Sequence, residues 1–170
     1  MTRIYSATAM PLLLIALIAV TPAFGQGGRG GRGMMGDGAH AADMQLFHQL
    51  FEHRTEITRQ VIAREDGIET ITESKNPEVA RLLQTHVASM LARVKEGRPI
   101  HQRDPLFVEL FKNADQIAVK YETTAGGVRV IETSKDAYVV KLLHAHAEVV
   151  SAFLANGMSE MMKNHPVPPR

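Results

Sequence analysis

The sequence contains no cysteine and no tryptophan among its 170 residues. Without cysteine the chain cannot form disulfides, thiolate catalysts, zinc–thiolate sites, iron–sulfur clusters or covalently attached c-type haem. A bacterial lipoprotein anchor is excluded as well, because that anchor is attached to a cysteine. We therefore expect a fold that is stabilised by packing alone.

A long hydrophobic run is also missing. The N-terminal run at residues 10–20 holds 11 residues, well short of the roughly 20 that cross a bilayer. It follows the positive charge of Arg3 and precedes small residues at Ala23 and Gly25, which is the pattern of a cleaved secretory signal. We therefore predict a signal peptide at residues 1–25, a periplasmic or secreted mature protein, and no membrane span after processing.

Excess charge of either sign is absent. The chain has 19 Lys and Arg against 18 Asp and Glu, and loss of Arg3 with the signal leaves 18 of each. A neutral chain without a basic run lacks the electrostatic footprint of nucleic-acid binding. Enzyme motifs are missing too, because there is no G-x-S-x-G, phosphate-binding loop, H-E-x-x-H or dinucleotide fingerprint. The sequence thus favours a binding or structural role over a catalytic one.

An internal repeat dominates the rest of the chain. At an offset of 60 residues, the segment 46–51 (LFHQLF) matches the segment 106–111 (LFVELF). Chance gives about one identity in twenty, so two matching copies indicate a duplicated domain with pseudo-twofold symmetry. The further residues that recur at this offset are Ile57, Gly67, Ile71, Ser74, Lys75, Val79, Leu82, Leu83, His86 and Gly97.

Start and stop signals bound the helices. Asp43 is expected to cap the first helix, whose apolar face carries Leu46, Leu50 and Ile57. Proline directly after a cap is tolerated in the first helical turn, and glycine often ends a helix in the left-handed conformation. The other caps predicted in this way are Asn76, Asp104 and Asp136 at helix starts and Gly97 and Gly157 at helix ends.

Between the helices of each copy, alternating residues predict a β-hairpin. The expected turns lie at residues 66–67 and 125–127. Because a lone hairpin is marginal, we expect the two to pair into one four-stranded sheet against the helices. The predicted fold is α+β, a duplicated α-ββ-α unit. A flexible glycine-rich segment at 26–42 precedes a single domain at 43–165, which has repeats at 43–97 and 103–157 and a C-terminal tail.

Several stretches resemble a group of small exported bacterial proteins that have an internally duplicated domain and no assigned function. These stretches are residues 104–107 (DPLF), 132–134 (ETS), 138–147 (YVVKLLHAHA) and 165–168 (HPVP). The resemblance covers most of residues 43–168. It implies export and duplication, and it assigns neither an activity nor site residues.

His86 and His146 occupy equivalent positions, each near the middle of an apolar helical stripe. Burying an imidazole without a partner costs roughly 1–3 kcal/mol, yet both copies keep it. If the twofold axis runs between these helices, the two rings converge as ligands to a transition metal ion (copper, iron or zinc) or as axial ligands to non-covalent haem b. His53 and Met90 are further candidate ligands at this centre, and His144 is an auxiliary one.

A second candidate set lies near the C-terminus. Met158, Met161, Met162 and His165 follow the i, i+3, i+4, i+7 spacing of one helical face. Thioether and imidazole groups suit Cu(I). The alternative interpretation is that these methionines fill a hydrophobic seam and that the tail is disordered, because Gly157 breaks the helix before them.

Our leading hypothesis is an exported ligand-binding protein that holds a metal ion or haem between its repeats. The alternative is a non-catalytic structural or interaction module, whose histidines bond a backbone carbonyl or a carboxylate such as Glu73 or Glu132. Its hairpin edges would then pair two copies into a homodimer. An enzyme with the same metal centre requires an open coordination position, which the sequence does not reveal.

Overall fold

The structure, a computed structural model, describes residues 38–170. The predicted signal peptide at 1–25 and most of the glycine-rich segment at 26–42 lie outside the described residues. Helix, hairpin and helix follow one another twice, as the repeat predicts. The elements are α1 (Gly38–Glu52), β1 (Ile57–Arg64), β2 (Gly67–Ser74), α2 (Pro77–Glu96), α3 (Pro105–Lys112), β3 (Ala118–Thr123), β4 (Gly127–Thr133), α4 (Ala137–Asn156) and the short α5 (Met158–Met161).

The two hairpins pair through their inner strands into one antiparallel sheet of order β1-β2-β4-β3. In this sheet Thr70 of β2 lies opposite Val130 of β4. These two residues are also equivalent in the repeat, so the pseudo-twofold axis passes through this pair. The predicted sheet and the predicted duplication are confirmed, and α2 and α4 lie on either side of the axis.

Gly67 and Gly127 each lie directly against the backbone of the other repeat. A Cβ atom at Gly67 would lie 1.9 Å from the backbone oxygen of Glu132, and one at Gly127 would lie 2.1 Å from that of Thr72. Glu132 and Thr72 are themselves equivalent positions. A side chain is sterically excluded at both glycines, which explains why the repeat preserves them.

The predicted helix starts are present. Side-chain oxygens of Asn76, Asp104 and Asp136 accept hydrogen bonds from backbone N–H groups in the first turns of α2, α3 and α4, at 3.0, 3.0 and 2.7 Å. Gly97 ends α2 with φ 63° and ψ 32°, the predicted left-handed cap. Gly157 ends α4 with φ 65° but ψ −141°, so it differs from the predicted geometry and α4 does not continue into α5.

Asp43 has a different role from the predicted one. It lies inside α1 rather than at its start, so the prediction of an N-cap is wrong. Its carboxylate is buried and forms an ion pair with Arg93 of α2, which is buried as well. It also accepts a hydrogen bond from the Ser89 hydroxyl. These contacts join α1 to α2 through a buried pair, whose disruption would leave an uncompensated charge in the interior.

Two further boundaries in the first repeat differ from the prediction. Because α1 ends at Glu52, Ile57 is not helical and instead begins β1, although its side chain still packs with Leu46 in the core. The hairpin turn lies at residues 65–66, and Gly67 opens β2. The helical spacing of apolar residues continues past the end of α1 as far as Ile57, which accounts for the first difference.

The helices cover one face of the sheet, and the second helix of each repeat reaches the other repeat. α2 packs on β4 as well as on β2, while α4 packs on β2 and β1. Within residues 38–170, α4 is the one helix whose length and hydropathy match a membrane span, and 44% of that stretch is buried inside the protein. The residues of β2 that face the helices alternate along the strand and are buried: Ile68, Thr70, Thr72 and Ser74.

Candidate functional site

A cavity of about 240 Å³ lies between the sheet and the helices. It is larger than the ~150 Å³ engineered cavity that takes up a benzene molecule. Both repeats contribute to its wall, and they do so with equivalent residues from the matching segments of α1 and α3. These residues are Phe47, Leu50 and Phe51 from α1 and Phe107, Leu110 and Phe111 from α3.

His86 of α2 and His146 of α4 both line this cavity, so the structure brings these two predicted site residues together. The ring of His86 packs edge-on against Phe47 with the ring centroids 4.7 Å apart, and His146 packs in the same way against Phe107 at 5.2 Å. Phe47 and Phe107 are also equivalent in the repeat. The two imidazoles therefore have symmetric surroundings in one shared space.

Neither imidazole has a hydrogen-bond partner within the part of the chain that the structure describes. The Nδ1 atoms of His86 and His146 are both shielded from solvent and unpaired. Burial lowers the pKa of each imidazole to about 4, and the nearby Arg59 guanidinium and His86 itself contribute to the lowering at His146. Both rings are therefore neutral at neutral pH, and each presents one N–H donor and one nitrogen lone pair.

Two charged side chains of the sheet also line the cavity. Arg59 of β1 donates from Nη1 to the Thr72 hydroxyl at 2.8 Å, while its Nε is buried and unpaired. Glu132 of β4 forms no hydrogen bond among the described residues, and burial raises the pKa of its carboxyl group while the charge of Arg59 opposes that shift. No ion pair joins Arg59 to Glu132 within residues 38–170, although the two interact electrostatically.

The sequence pattern does not predict Arg59 as a site residue, and it suggests Glu132 only as a partner for a histidine. One available signal is the two-residue period of a strand, which places Arg59 on the same face as the buried Ile57. Comparison of the two repeats does not identify either residue, because the counterpart of Arg59 is Val119 and that of Glu132 is Thr72. The cavity is thus symmetric in its imidazoles and asymmetric in its charges.

The other predicted ligands divide between the cavity and the surface. Met90 and Met161 line the cavity, whereas Met158 and Met162 are 40% and 64% exposed. His53 is outside the cavity as well, because it follows the last residue of α1 and bonds through Nδ1 to Glu56 at 2.6 Å. Among residues 38–170, no three His, Asp or Glu side chains are grouped as a metal-ligand set.

His165 does not join the methionines, because α5 is a single turn that ends before it. Its Nδ1 bonds to the fully buried carboxylate of Asp104 at 2.5 Å, and its Nε2 bonds to Glu160 at 3.1 Å. Burial lowers the pKa of His165, but hydrogen bonds to both carboxylates outweigh this and raise it above the ordinary value. This histidine fastens the C-terminal segment to the start of α3.

His144 also has a structural partner. Its Nε2 bonds to the backbone oxygen of Gly67 at 2.8 Å. The equivalent residue Gln84 donates to the backbone oxygen of Gly127 at 3.3 Å. Both copies therefore use this helix position to form a hydrogen bond with the carbonyl of the recurring glycine. His144 thus has a structural role and is not an auxiliary ligand of the cavity.

A surface cleft of about 790 Å³ lies beside the cavity, between the end of α2, α3 and β3. Six residues line both the cleft and the cavity: Leu91, Val94, Phe111, Ala114, Ile117 and Val119. On the symmetry-related side, Arg54 takes the place of Ala114 and donates from Nη1 to the backbone oxygens of Leu154 and Ala155, both at 3.3 Å. The cleft therefore opens where the second repeat has a small residue.

The cavity thus combines an apolar wall, two neutral imidazoles, a half-buried guanidinium and a half-buried carboxyl group in a space next to a surface cleft. Such a combination of an apolar wall and a few convergent polar groups is typical of small-molecule sites. Comparison of the chain with models of known protein families, with curated proteins and with solved structures found no match.

Proposed function

We propose that this protein is an exported binding protein that holds a ligand between its two repeats, in contact with His86 and His146. The observation that carries this proposal is the pair of enclosed, neutral imidazoles without a protein partner. An unsatisfied buried polar group costs roughly 1–3 kcal/mol, and the chain bears this cost twice. A ligand that bonds to both rings offsets it.

The walls of the cavity indicate the body of this ligand. Phenylalanine, leucine and valine side chains form most of the lining, so the part of the ligand that touches them is apolar. The imidazoles would each exchange one hydrogen bond with a polar group of the ligand. We therefore favour a small organic molecule that is apolar over most of its surface.

A transition metal ion or haem b is the second candidate. Neutral imidazoles are common ligands of zinc, copper and iron, and burial keeps both rings neutral down to a pH of about 4. Met90 adds a thioether to the same cavity. With haem b, His86 and His146 would hold the iron, and the cofactor would supply redox or gas-binding chemistry.

The structural alternative requires each imidazole to be satisfied by the protein. His144 and His165 meet this requirement, through a backbone oxygen and two carboxylates. His86 and His146 bond to neither Glu73 nor Glu132 among the described residues. Their surroundings therefore favour a ligand over a packing role.

Native mass spectrometry, an absorption spectrum and elemental analysis of protein purified from the periplasm test for a bound species. Titrations with the neutral apolar fluorophore N-phenylnaphthylamine, with haem, and with Zn²⁺ and Cu⁺ then compare the candidate ligands. We expect one saturable site, with binding roughly tenfold weaker or worse in the double variant His86→Leu/His146→Leu, because two hydrogen bonds or two metal ligands are lost.

His144→Gln is the matched control, because glutamine is the residue that the first repeat uses at the equivalent position. We expect this variant to bind as the wild type does. Wild-type protein that carries no bound species and binds none of the probes would contradict the proposal. So would a folded double variant with unchanged affinity for each probe that binds.

A further inference from the structure

We propose that the ligand of the cavity is an organic carboxylate whose charged group binds to Arg59 and whose apolar body lies against the phenylalanines of α1 and α3. This inference rests on the proposed function and specifies the chemical class of its ligand. It also assigns Arg59, rather than the imidazoles alone, as the residue that selects the ligand.

Arg59 is a half-buried cation in the wall of the cavity, and no carboxylate among the described residues forms an ion pair with it. These residues offer its guanidinium one hydrogen bond, to the neutral Thr72 hydroxyl, and leave the buried Nε unpaired. This state is costly, because the partial desolvation of the cation is not repaid by an ion pair. A carboxylate entering the cavity would supply the missing charge and accept two parallel hydrogen bonds from the planar guanidinium.

The other titratable groups of the cavity favour an anion as well. His86 and His146 are neutral, so they do not offset the positive charge of Arg59. Each of them can also donate one hydrogen bond to an anion. Burial raises the pKa of the Glu132 carboxyl group, against the opposing charge of Arg59, so this group ionises less readily than a free carboxyl group and repels an anion less. His101 also lines the cavity, and burial lowers its pKa too.

The side chains that line the adjoining cleft also favour an anionic ligand. Lys95 and Lys112 line this cleft together with a single acidic residue, Asp115. Cations at the mouth of a site raise the local concentration of anions. Ala114 lies at the boundary between cleft and cavity, so we infer that a carboxylate passes this small residue on its way to Arg59.

The test uses the full mature chain and three probes with the same alkyl body: decanoate, decanol and decyltrimethylammonium. Isothermal titration calorimetry at neutral pH measures the affinity for each. We expect decanoate to bind roughly tenfold or more tightly than decanol, since charge-assisted hydrogen bonds to a carboxylate are replaced by neutral ones. The cationic probe should bind most weakly.

Arg59→Gln should abolish the preference for decanoate over decanol while decanol still binds. Arg64→Gln, on the exposed part of the same strand, is the matched control and should retain the preference. Arg59→Lys keeps the charge but not the planar fork, so a reduced preference is expected. This variant decides the question if Arg59→Gln fails to fold by circular dichroism. Ala114→Arg should slow the association of decanoate in stopped-flow measurements, because the long side chain would narrow the boundary between cleft and cavity.

Equal affinity of the wild type for decanoate and decanol would overturn the inference, as would a full preference in folded Arg59→Gln or an unchanged preference in Arg59→Lys. In those cases binding of decanol or N-phenylnaphthylamine that is lost in His86→Leu/His146→Leu would leave the proposed function standing. If none of the probes binds, the proposed function fails together with this inference.

Discussion

Histidines in two regions of this protein have opposite surroundings. In the cavity, His86 and His146 are enclosed by apolar side chains, and neither has a hydrogen-bond partner within the described residues. At the C-terminal end, His165 bonds through both ring nitrogens to the carboxylates of Asp104 and Glu160. The fold can thus satisfy a buried imidazole where the imidazole holds the chain in place. The two unsatisfied rings lack such a role among the described residues.

The two surroundings also shift the imidazole pKa in opposite directions. Burial without a partner lowers the pKa of His86 and His146 to about 4, whereas the two carboxylates raise the pKa of His165 in spite of its burial. The folded protein therefore resists protonation at one site and favours it at the other. Changes of pH and of sequence should separate the two regions.

Acid should produce the largest effect, through the cavity pair. The unfolded chain protonates these histidines near their ordinary pKa of 6.5, before the folded protein does. Their titration therefore leaves the free energy of unfolding unchanged above that pH and lowers it as the pH falls to about 4. A shift of this size corresponds to roughly 3 kcal/mol for each histidine. Urea unfolding of the ligand-free protein at a series of pH values measures this loss.

The double variant His86→Leu/His146→Leu isolates this contribution from that of the carboxylates, which titrate in the lower part of the same range. We expect the variant to lose much less stability than the wild type between neutral pH and pH about 4. Parallel pH profiles for the two proteins would mean that the cavity rings accept protons in the folded state as easily as in the unfolded chain.

Removal of the Asp104 carboxylate should produce the next largest effect. Asp104 caps α3 and also holds the backbone and the ring of His165. We expect Asp104→Ala to lower the free energy of unfolding by about 3 kcal/mol, since a cap and charge-assisted hydrogen bonds are lost together. Asp136→Ala is the matched control, because Asp136 only caps α4 and its loss should cost about 1 kcal/mol. Equal losses in urea unfolding would show that His165 adds nothing to the cap.

Leucine substitutions should change stability with opposite signs in the two regions. In ligand-free protein at neutral pH, His86→Leu and His146→Leu each remove an unsatisfied polar group and should raise the free energy of unfolding by about 1 kcal/mol. His165→Leu removes one hydrogen-bond partner from each of two carboxylates and should lower it by about 1–2 kcal/mol. Thermal and urea unfolding measure all three. A destabilisation by the cavity substitutions would indicate that these imidazoles have a packing role after all.

The repeat explains why so much of this arrangement was predictable from the sequence. Both copies have the same architecture, so residues that this architecture requires occur at matched positions in the two. These residues are the recurring glycines, the capping residues and the histidine pair. The pairing of the hairpins followed from the marginal stability of a single one. The position of His86 and His146 on apolar helical faces followed from helical periodicity alone.

The same dependence on symmetry explains what was missed. Arg59 and Glu132 have Val119 and Thr72 as counterparts, so comparison of the copies gave them no weight. The cleft beside the cavity lies at another such difference, because Ala114 lines it and the equivalent residue is Arg54. Whether a residue that occurs in one copy lines the cavity depends on three-dimensional packing between the repeats, which the sequence pattern does not report.

The two helix ends differ in how clearly the sequence marks them. Gly157 was predicted as the end of α4, and it does separate the methionines of α5 from that helix. His53 follows the last residue of α1, where the apolar 3.6-residue period continues through Ile57 and no glycine or proline marks the end. Backbone hydrogen bonding decides where such an unmarked helix ends.

Alkaline pH should produce the smallest effect, through His165. Because its pKa is raised, the folded protein binds the proton more tightly than the unfolded chain does. The resulting stability is fully present below the ordinary pKa of 6.5 and is lost as the pH rises through the raised value. We expect a shallow decline in the free energy of unfolding above neutral pH that is absent in His165→Gln. The cavity histidines cannot cause this decline, since they are already neutral in both states there, so a slope that persists in His165→Gln would exclude His165 as its source.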